Sequence, residues 1–300
     1  MIDGEPESRV RLGLLGASVD TRFEIGSVTK ALTGMLLADT VERGRLSLTT
    51  EVGEVVPSTD GSDLASVTLL ELATHTSGLP RLPFNGSGVA RALPYAVWGR
   101  NPYRTSPASV IAAAVRQPLR GRGQRRYSNI GTAVLGEVLA LSASTDYSSL
   151  LTEAILRPLG MEATAVSTKG CRAPLGRSAW GLPRDRWVLH GYAPAGGILS
   201  TIEDMVRLAR RLLDGSAPGV AALDPINGVQ TDRPDRRTGL FWFIDGPTDQ
   251  VPAITWHDGG TGGYSAFLAL IPDVHRAVII LQRVGGNVQH LQRIALDVAR

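Results

Sequence analysis

The strand-forming segments of this chain lie almost entirely behind Thr238, and that placement constrains its fold more than any other feature. Leu240 to Ile244, Ala253 to Trp256, Ser265 to Ile271 and Ala277 to Leu281 are short aliphatic and aromatic runs, and Pro272 with Asp273 marks a turn between the last two. What precedes them reads as helix and loop. Val28, Ala31, Leu32, Met35 and Leu36 recur at i, i+3, i+4, i+7 and i+8, which predicts an amphipathic helix starting at or beside Ser27 and stopping near Gly44. Further helices are predicted over Ser106 to Arg116, Asn129 to Ala143, Tyr147 to Leu156 and Thr201 to Leu213. The last of these follows the capping-box spacing Ser200 to Glu203. A closing helix from Val288 to Val298 carries Val288, Leu291, Ala295 and Val298 on one face, suited to covering a sheet. The expected fold class is therefore α/β (α+β). Residues 1–45 and 231–300 form a sheet lobe, residues 46–230 form an inserted, mostly helical lobe, and the site is expected in the cleft between them.

Composition narrows the classes of function. At 300 residues with 43% hydrophobic and 20% charged side chains, the chain can bury a large core and is neither disordered nor fibrous. No apolar run approaches the roughly 18 residues of a membrane span, and the charged start from Met1 to Val10 lacks the apolar stretch of an export signal, which points to a cytoplasmic protein without a membrane span. The single cysteine, Cys171, excludes an internal disulfide and a multi-cysteine zinc site, and is read as a bystander thiol. A net charge of +3 spread among 28 acidic residues is a poor footprint for nucleic acid, so no nucleic-acid partner is expected. Only two of the 31 basic residues are lysines, Lys30 and Lys169. A desolvated lysine can lose its proton near neutral pH and an arginine cannot, so Lys30, near a helix start, is the first place to look for chemistry.

Three segments combine reactive residues. In Gly26-Ser27-Val28-Thr29-Lys30, helical spacing puts the Ser27 hydroxyl and the Lys30 amine on one face, at a helix N-terminus whose free amides favour developing negative charge. The same residues also fit a plain N-cap and a solvated lysine. Tyr127-Ser128-Asn129 stands at a predicted helix start. Tyr127 could act there as acid or base and Asn129 could bond both Lys30 and a substrate carbonyl, or both could simply pack and cap. His257-Asp258-Gly259-Gly260-Thr261-Gly262-Gly263-Tyr264 lies between two predicted strands. Its glycines would let a ligand approach the backbone, or form an ordinary hairpin turn.

The ordered combination Ser27-x-x-Lys30, Tyr127-x-Asn129 and His257-x-Gly259 resembles the class C β-lactamase-like serine hydrolase superfamily, which takes in class C β-lactamases, D-alanyl-D-alanine carboxypeptidases, D-aminopeptidases and β-lactamase-like esterases. The segments Phe23 to Lys30, Leu69 to Pro80 and Ala195 to Thr201 with Asp204 look like the family's as well. The resemblance implies a β-lactamase/DD-peptidase-like fold, an antiparallel sheet flanked by helices with an inserted helical lobe. It also implies Ser27 as nucleophile, Lys30 as its base, Tyr127 as proton relay and Asn129 as positioner. The amides of Ser27 and Gly260 become the oxyanion hole, with Gly259 beside them, and His257 lines the opposite wall. Hydrolysis would pass through an acyl-serine on a small ester, amide or β-lactam, with no metal or organic cofactor.

Two departures shape the expectation. Class C β-lactamases commonly carry Lys-Thr-Gly at the third motif, whereas this chain has His257-Asp258-Gly259, the form found in some peptidases and esterases. A partly protonated His257 is the expected substitute charge for a substrate carboxylate, and Asp258 beside it could raise its pKa or could simply face solvent. The front is short: Arg9 to Leu15 reads as the remains of a second strand and Met1 to Gly4 as the tail of a first, so the N-terminal helix and first strand are missing or shortened, leaving a sheet edge that favours a homodimer. An esterase is the leading expectation. A D-amino-acid-specific peptidase or carboxypeptidase and a weak β-lactamase are the alternatives, and an acyl-trapping binding module without turnover is the reading from another class. Among the remaining residues, His75 is expected to be a structural hydrogen-bonding residue, and His190, His275 and His290 have no metal-ligand spacing. Arg116, Arg120, Arg122, Arg125 and Arg126 form a solvated loop or lie near anionic substrates, and Trp98, Trp180, Trp187 and Tyr192 line a pocket or pack the helices.

Overall fold

A computed structural model describes residues 17–83, 101, 103, 105–231, 233–248, 252–286 and 288–299. Met1 to Gly4, Arg9 to Leu15 and Trp98 lie outside the described residues. The strands are β1 (Phe23–Glu24), β2 (Ala165–Val166), β3 (Gly176–Arg177), β4 (Pro183–Arg184), β5 (Ile198–Ser200), β6 (Arg236–Thr238), β7 (Phe243–Asp245), β8 (Ile254–Gly260), β9 (Ser265–Ile271) and β10 (Arg276–Gln282). The helices are α1 (Thr29–Glu42), α2 (Val52–Val55), α3 (Leu69–Ala73), α4 (Pro107–Val115), α5 (Asn129–Ser142), α6 (Tyr147–Leu151), α7 (Ala193–Gly196), α8 (Ile202–Leu213) and α9 (Val288–Ala299). As the late strand runs predict, the main sheet is an antiparallel meander of the order β10-β9-β8-β7-β6. A second, three-stranded sheet, β1-β5-β2, joins Phe23 and Glu24 to Ser200 and Leu199.

Both faces of the interior strand β9 are buried, and the pleat decides what each side chain meets. Ala266, Leu268 and Leu270 enter the large core that includes α1, α5 and α8. Phe267, Ala269 and Ile271 face Leu291 and Ala295 of α9, with Phe243 and Trp256 stacked 4.6 Å apart beside them. The last helix thus covers the sheet as its apolar stripe predicts. α8 is one-sided too, burying Met205, Leu208, Ala209 and Leu212, with acids in its first turn and arginines in its last that complement the helix dipole.

Four local expectations are corrected. α1 is not amphipathic but buried from Thr29 to Thr40, because the sheet, α5, α7 and the 220–223 turn surround it. Its hydroxyls Thr33 and Thr40 satisfy themselves on the carbonyls of Thr29 and Leu36. The cap of α8 is Thr201, which accepts from Asp204 N at 3.2 Å, while Ser200 stays in β5. The segment Tyr147 to Leu156 changes after α6 into a π turn over Thr152–Leu156. Leu240 to Trp242 is not strand: Phe241 has φ 66°, and the amides of Leu240 and Phe241 bond Ala222 O and Ala73 O, so pairing starts only at Phe243.

The Leu240 loop lies directly on α1 at Gly34, where an added Cβ would sit 2.2 Å from the Leu240 carbonyl oxygen. Alanine favours a helix over glycine by about 1 kcal/mol, whereas overpacking against backbone costs about 1–3 kcal/mol. We expect the clash to win, and Gly34→Ala to lower the urea unfolding midpoint. A variant that unfolds at higher urea than the parent would contradict this packing.

Candidate active site

The site begins with a close approach of two backbones. Ser27 is the middle residue of a 3-10 turn, Gly26–Val28, that runs straight into α1. Gly26 has φ +51°, and a Cβ there would lie 2.6 Å from Gly260 N. A Cβ on Gly259 would lie 1.9 Å from Ile25 O and 3.0 Å from Ser27 N. Only a chain without side chains at both places can lay the end of β8 against the serine turn. The glycine-rich motif is therefore not a loop up to Gly260: His257 to Gly260 continue β8, and the turn proper is Thr261 to Tyr264, closed by Thr261 N donating to Tyr264 O at 2.9 Å.

Lys30 sits one helical turn beyond Ser27 and is fully buried. Its Nζ lies 3.1 Å from Ser27 Oγ, donates to Ala195 O at 2.5 Å and stands 4.8 Å from the centre of the Tyr127 ring. The carbonyl it uses belongs to α7, which Thr33 ties to α1 through Pro194 O at 2.8 Å. No carboxylate among the described residues pairs with the amine. Burial holds the Lys30 pKa well below the usual lysine range, the charge of Arg81 lowers it further, and Asp258 only partly opposes this.

Tyr127 precedes α5, and its hydroxyl donates to Ser27 Oγ at 2.7 Å. Burial raises its pKa, so it is a phenol and not a phenolate. Ser128 caps α5 by accepting from Gly131 N at 2.9 Å while donating to Pro80 O at 2.8 Å, and Asn129 N donates to Arg81 O at 3.1 Å. His75, with φ 62°, accepts from Ser128 N at 3.3 Å through Nδ1 and from Arg126 N through its carbonyl at 2.8 Å, and its ring lies 4.7 Å from that of Tyr127. That is the structural hydrogen-bonding role expected of it. The loop 75–81 and the start of α5 are thus stitched together, and the stitching aims Tyr127 at Ser27.

Two expectations fail here. Asn129 lines the cleft, but its buried Oδ1 has no partner, so it does not bond Lys30. His257 is not a partial cation. It is fully buried on β8, its Nδ1 lies 2.6 Å from Asp258 O, its Nε2 has no partner, and burial together with the nearby Lys30 takes its pKa down to about 3. The Asp258 carboxylate, 3.8 Å away and partly exposed, does not reverse this.

The cleft over Ser27, about 400 Å3 counting its solvent-open mouth, is lined by Asn129, Gly260, Trp187, Tyr192, Tyr103 and Arg81 among others, but not by His257. Tyr103 packs on Trp187 and Tyr192 at 5.1 and 5.3 Å, forming an aromatic wall. Of the expected aromatics, Trp187 and Tyr192 line the cleft and Trp180 is 89% exposed. Within the arginine group, Arg122 is paired with Glu71 and Arg125 lies over the Phe243 ring at 4.6 Å, so both are structural. The sequence reading missed Arg81, one residue past the quoted Leu69 to Pro80 segment, and the Ala195 carbonyl. The adjacency of Arg81 to Pro80 was the available signal for the first. Backbone carbonyls carry none. Among the described residues no three His, Cys, Asp or Glu side chains gather as a metal site requires, and no helix is long and apolar enough to cross a membrane.

The neutral burial of His257 fixes a sign for acid stability. Between pH 6.5 and about 3 the unfolded chain binds a proton there that the folded chain does not, so stability falls as pH falls across that window. One such proton contributes a slope of about 1.4 kcal/mol per pH unit. His257→Gln should remove roughly one proton's worth of slope from a urea-midpoint series over pH 6 to 4; an unchanged slope would mean that His257 is charged in the folded state.

Comparison with known proteins gives the family and the fold. The beta-lactamase family pattern matches residues 9–298. The D-alanyl-D-alanine-carboxypeptidase/endopeptidase AmpH of Escherichia coli is 28% identical over 276 residues, which take in 85% of this chain and 69% of that protein. A beta-lactamase of Escherichia coli is 25% identical over 304 residues, 87% of this chain and 75% of the relative. In shape, the crystal structure of a class C beta-lactamase from Rhodobacter sphaeroides superposes with a TM-score of 0.75 at 22% identity, covering 94% of this chain and 85% of its own. With nearly the whole chain matched, the protein belongs to the beta-lactamase family of serine hydrolases.

Proposed function

We propose that the protein hydrolyses esters, and more slowly amides, through an acyl intermediate on Ser27. The observation that carries this is a buried Lys30 amine 3.1 Å from Ser27 Oγ, its pKa held well below the usual lysine range by burial, with the Tyr127 phenol 2.7 Å from the same oxygen. With Lys30 neutral, the Ser27 proton passes to its lone pair as Oγ bonds to the substrate carbonyl carbon. The amides of Ser27 and Gly260 receive the oxyanion. The proton then returns through Tyr127 to the leaving oxygen or nitrogen as that bond breaks, and water repeats the sequence in reverse to free the acid. Asn129 positions the substrate with its unpartnered Oδ1, while Gly259 and His257 support the opposite wall from behind. The division into lobes 1–45 with 231–300 and 46–230 belongs to the same proposal, since Ser27 and Gly260 come from one group and Tyr127 and Asn129 from the other.

An ester is favoured because the third motif carries no fixed charge: His257 is neutral and enclosed. The likeness to a D-alanyl-D-alanine carboxypeptidase/endopeptidase and to a beta-lactamase keeps D-peptides and β-lactams as the second reading.

A fluorophosphonate should add to the wild type once by intact mass and not to Ser27→Ala, and 4-nitrophenyl acetate should turn over with the same dependence. Lys30→Met should slow both by about 10²–10⁴. The wild-type rate should fall on the acid side as Lys30 takes up a proton, at a pH below the ordinary lysine range. Labelling of Ser27→Ala at the wild-type rate would end the proposal. A Ser27 adduct without ester turnover would favour the acyl-trapping module, and faster turnover of a cephalosporin than of the ester would favour the β-lactamase reading.

A further inference from the structure

Among the described residues that line the cleft, Arg81 is the one with a permanent charge. Its backbone is fixed from both sides. Gly78, at φ +79°, turns the chain and accepts from Arg120 N at 3.0 Å, Pro80 O accepts from Ser128 Oγ, and Arg81 O accepts from Asn129 N. The residue that positions the start of α5 therefore also carries a guanidinium into the cleft, with Cζ 5.4 Å from the centre of the Tyr127 ring. That side chain is exposed and forms no ion pair among the described residues, unlike Arg43, Arg122, Arg157, Arg207, Arg233 and Arg236.

A guanidinium is always charged near neutral pH and presents a planar fork that matches a carboxylate. Its charge acts on Lys30, and Asp258 acts there with the opposite sign. The site is thus polarised, with a cation beside Tyr127 and an anion near the end of β8, so a substrate carboxylate is drawn to the Arg81 end and repelled from the other. The aromatic wall of Tyr103, Trp187 and Tyr192 completes the selection by accepting a flat apolar body. We propose that Arg81 is the anion-recognising residue of this site, and that it selects esters or amides carrying a free carboxylate. The anion function expected of the third motif is moved to the loop after Pro80. The inference rests on the acyl-serine reading for its chemistry, though not for binding.

The test uses matched pairs: monophenyl glutarate against its methyl ester, which places the carboxylate on the acyl side, and 4-acetoxybenzoate against its methyl ester, which places it on the leaving group. In the wild type, kcat/KM for the charged member of at least one pair should exceed that of the neutral member by about tenfold or more. Arg81→Ala should bring that ratio near one and Arg81→Lys should keep part of it, in variants whose circular dichroism matches the parent. A ratio near one in both pairs for the wild type, or a ratio that survives Arg81→Ala, overturns the proposal while leaving Ser27-dependent turnover intact. If no ester turns over, the acyl-serine reading falls and binding decides. Titration calorimetry on Ser27→Ala should give tighter binding of a charged ester than of its methyl ester, a difference lost in the Ser27→Ala, Arg81→Ala double variant. Equal binding of the two would overturn the proposal.

Discussion

The contact on which the rest of the site depends is made by backbone alone. The end of β8 reaches the turn at Ser27 because Gly26 and Gly259 leave nothing between the two main chains. A methyl group at either place would push the strand away, and with it the Gly260 amide from the serine. This explains why the turn has a glycine in the left-handed region directly before the nucleophile, where almost any other residue would be strained. It also explains why the main sheet, assembled from residues behind 235, matters to a serine near the front of the chain.

The second constraint is electrostatic. An amine that is fully enclosed, bonded to a carbonyl and without a carboxylate partner among the described residues is costly to charge, and its pKa is held well below the usual lysine range. The surroundings are consistent with this: His75 and His257 are both uncharged for the same reason, and the phenol of Tyr127 keeps its proton. A ring of buried titratable groups around one hydroxyl, each with its pKa moved by the same enclosure, has the arrangement that proton transfer needs. The stability of the fold is lowered by the enclosed lysine, which would be charged and hydrated in the unfolded chain.

The sequence carried the elements whose burial is one-sided. α8 and α9 show their stripes openly, and β9 was placed residue for residue, because a long apolar run between a glycine turn and Pro272 has few other readings. Elements set by tertiary contact were not legible. α1 looks amphipathic in sequence yet is wrapped on all sides, and Phe241 sits in a left-handed conformation that no aromatic residue announces. In the site, the spacing of Ser27 and Lys30 and the order of the three motifs were readable. The state of His257 was not, because a histidine beside an aspartate in sequence looks like a charged pair, while in the fold the ring is fully buried, the nearest Asp258 atom to it is the backbone carbonyl at 2.6 Å, and the carboxylate stands off at 3.8 Å. Arg81 escaped because its importance comes from its place in the cleft beside Tyr127, which only the folded arrangement reveals.

The enclosure of Lys30 has a practical corollary for handling the molecule. Of the two lysines in the chain, one is sealed beneath Ser27 and the other, Lys169, stands exposed in the loop after β2. Reagents directed at amines, which label most proteins at many places, meet a single side chain here. Coupled to a surface or a dye through that residue, the molecules would share one orientation, with the reactive amine of the site left untouched.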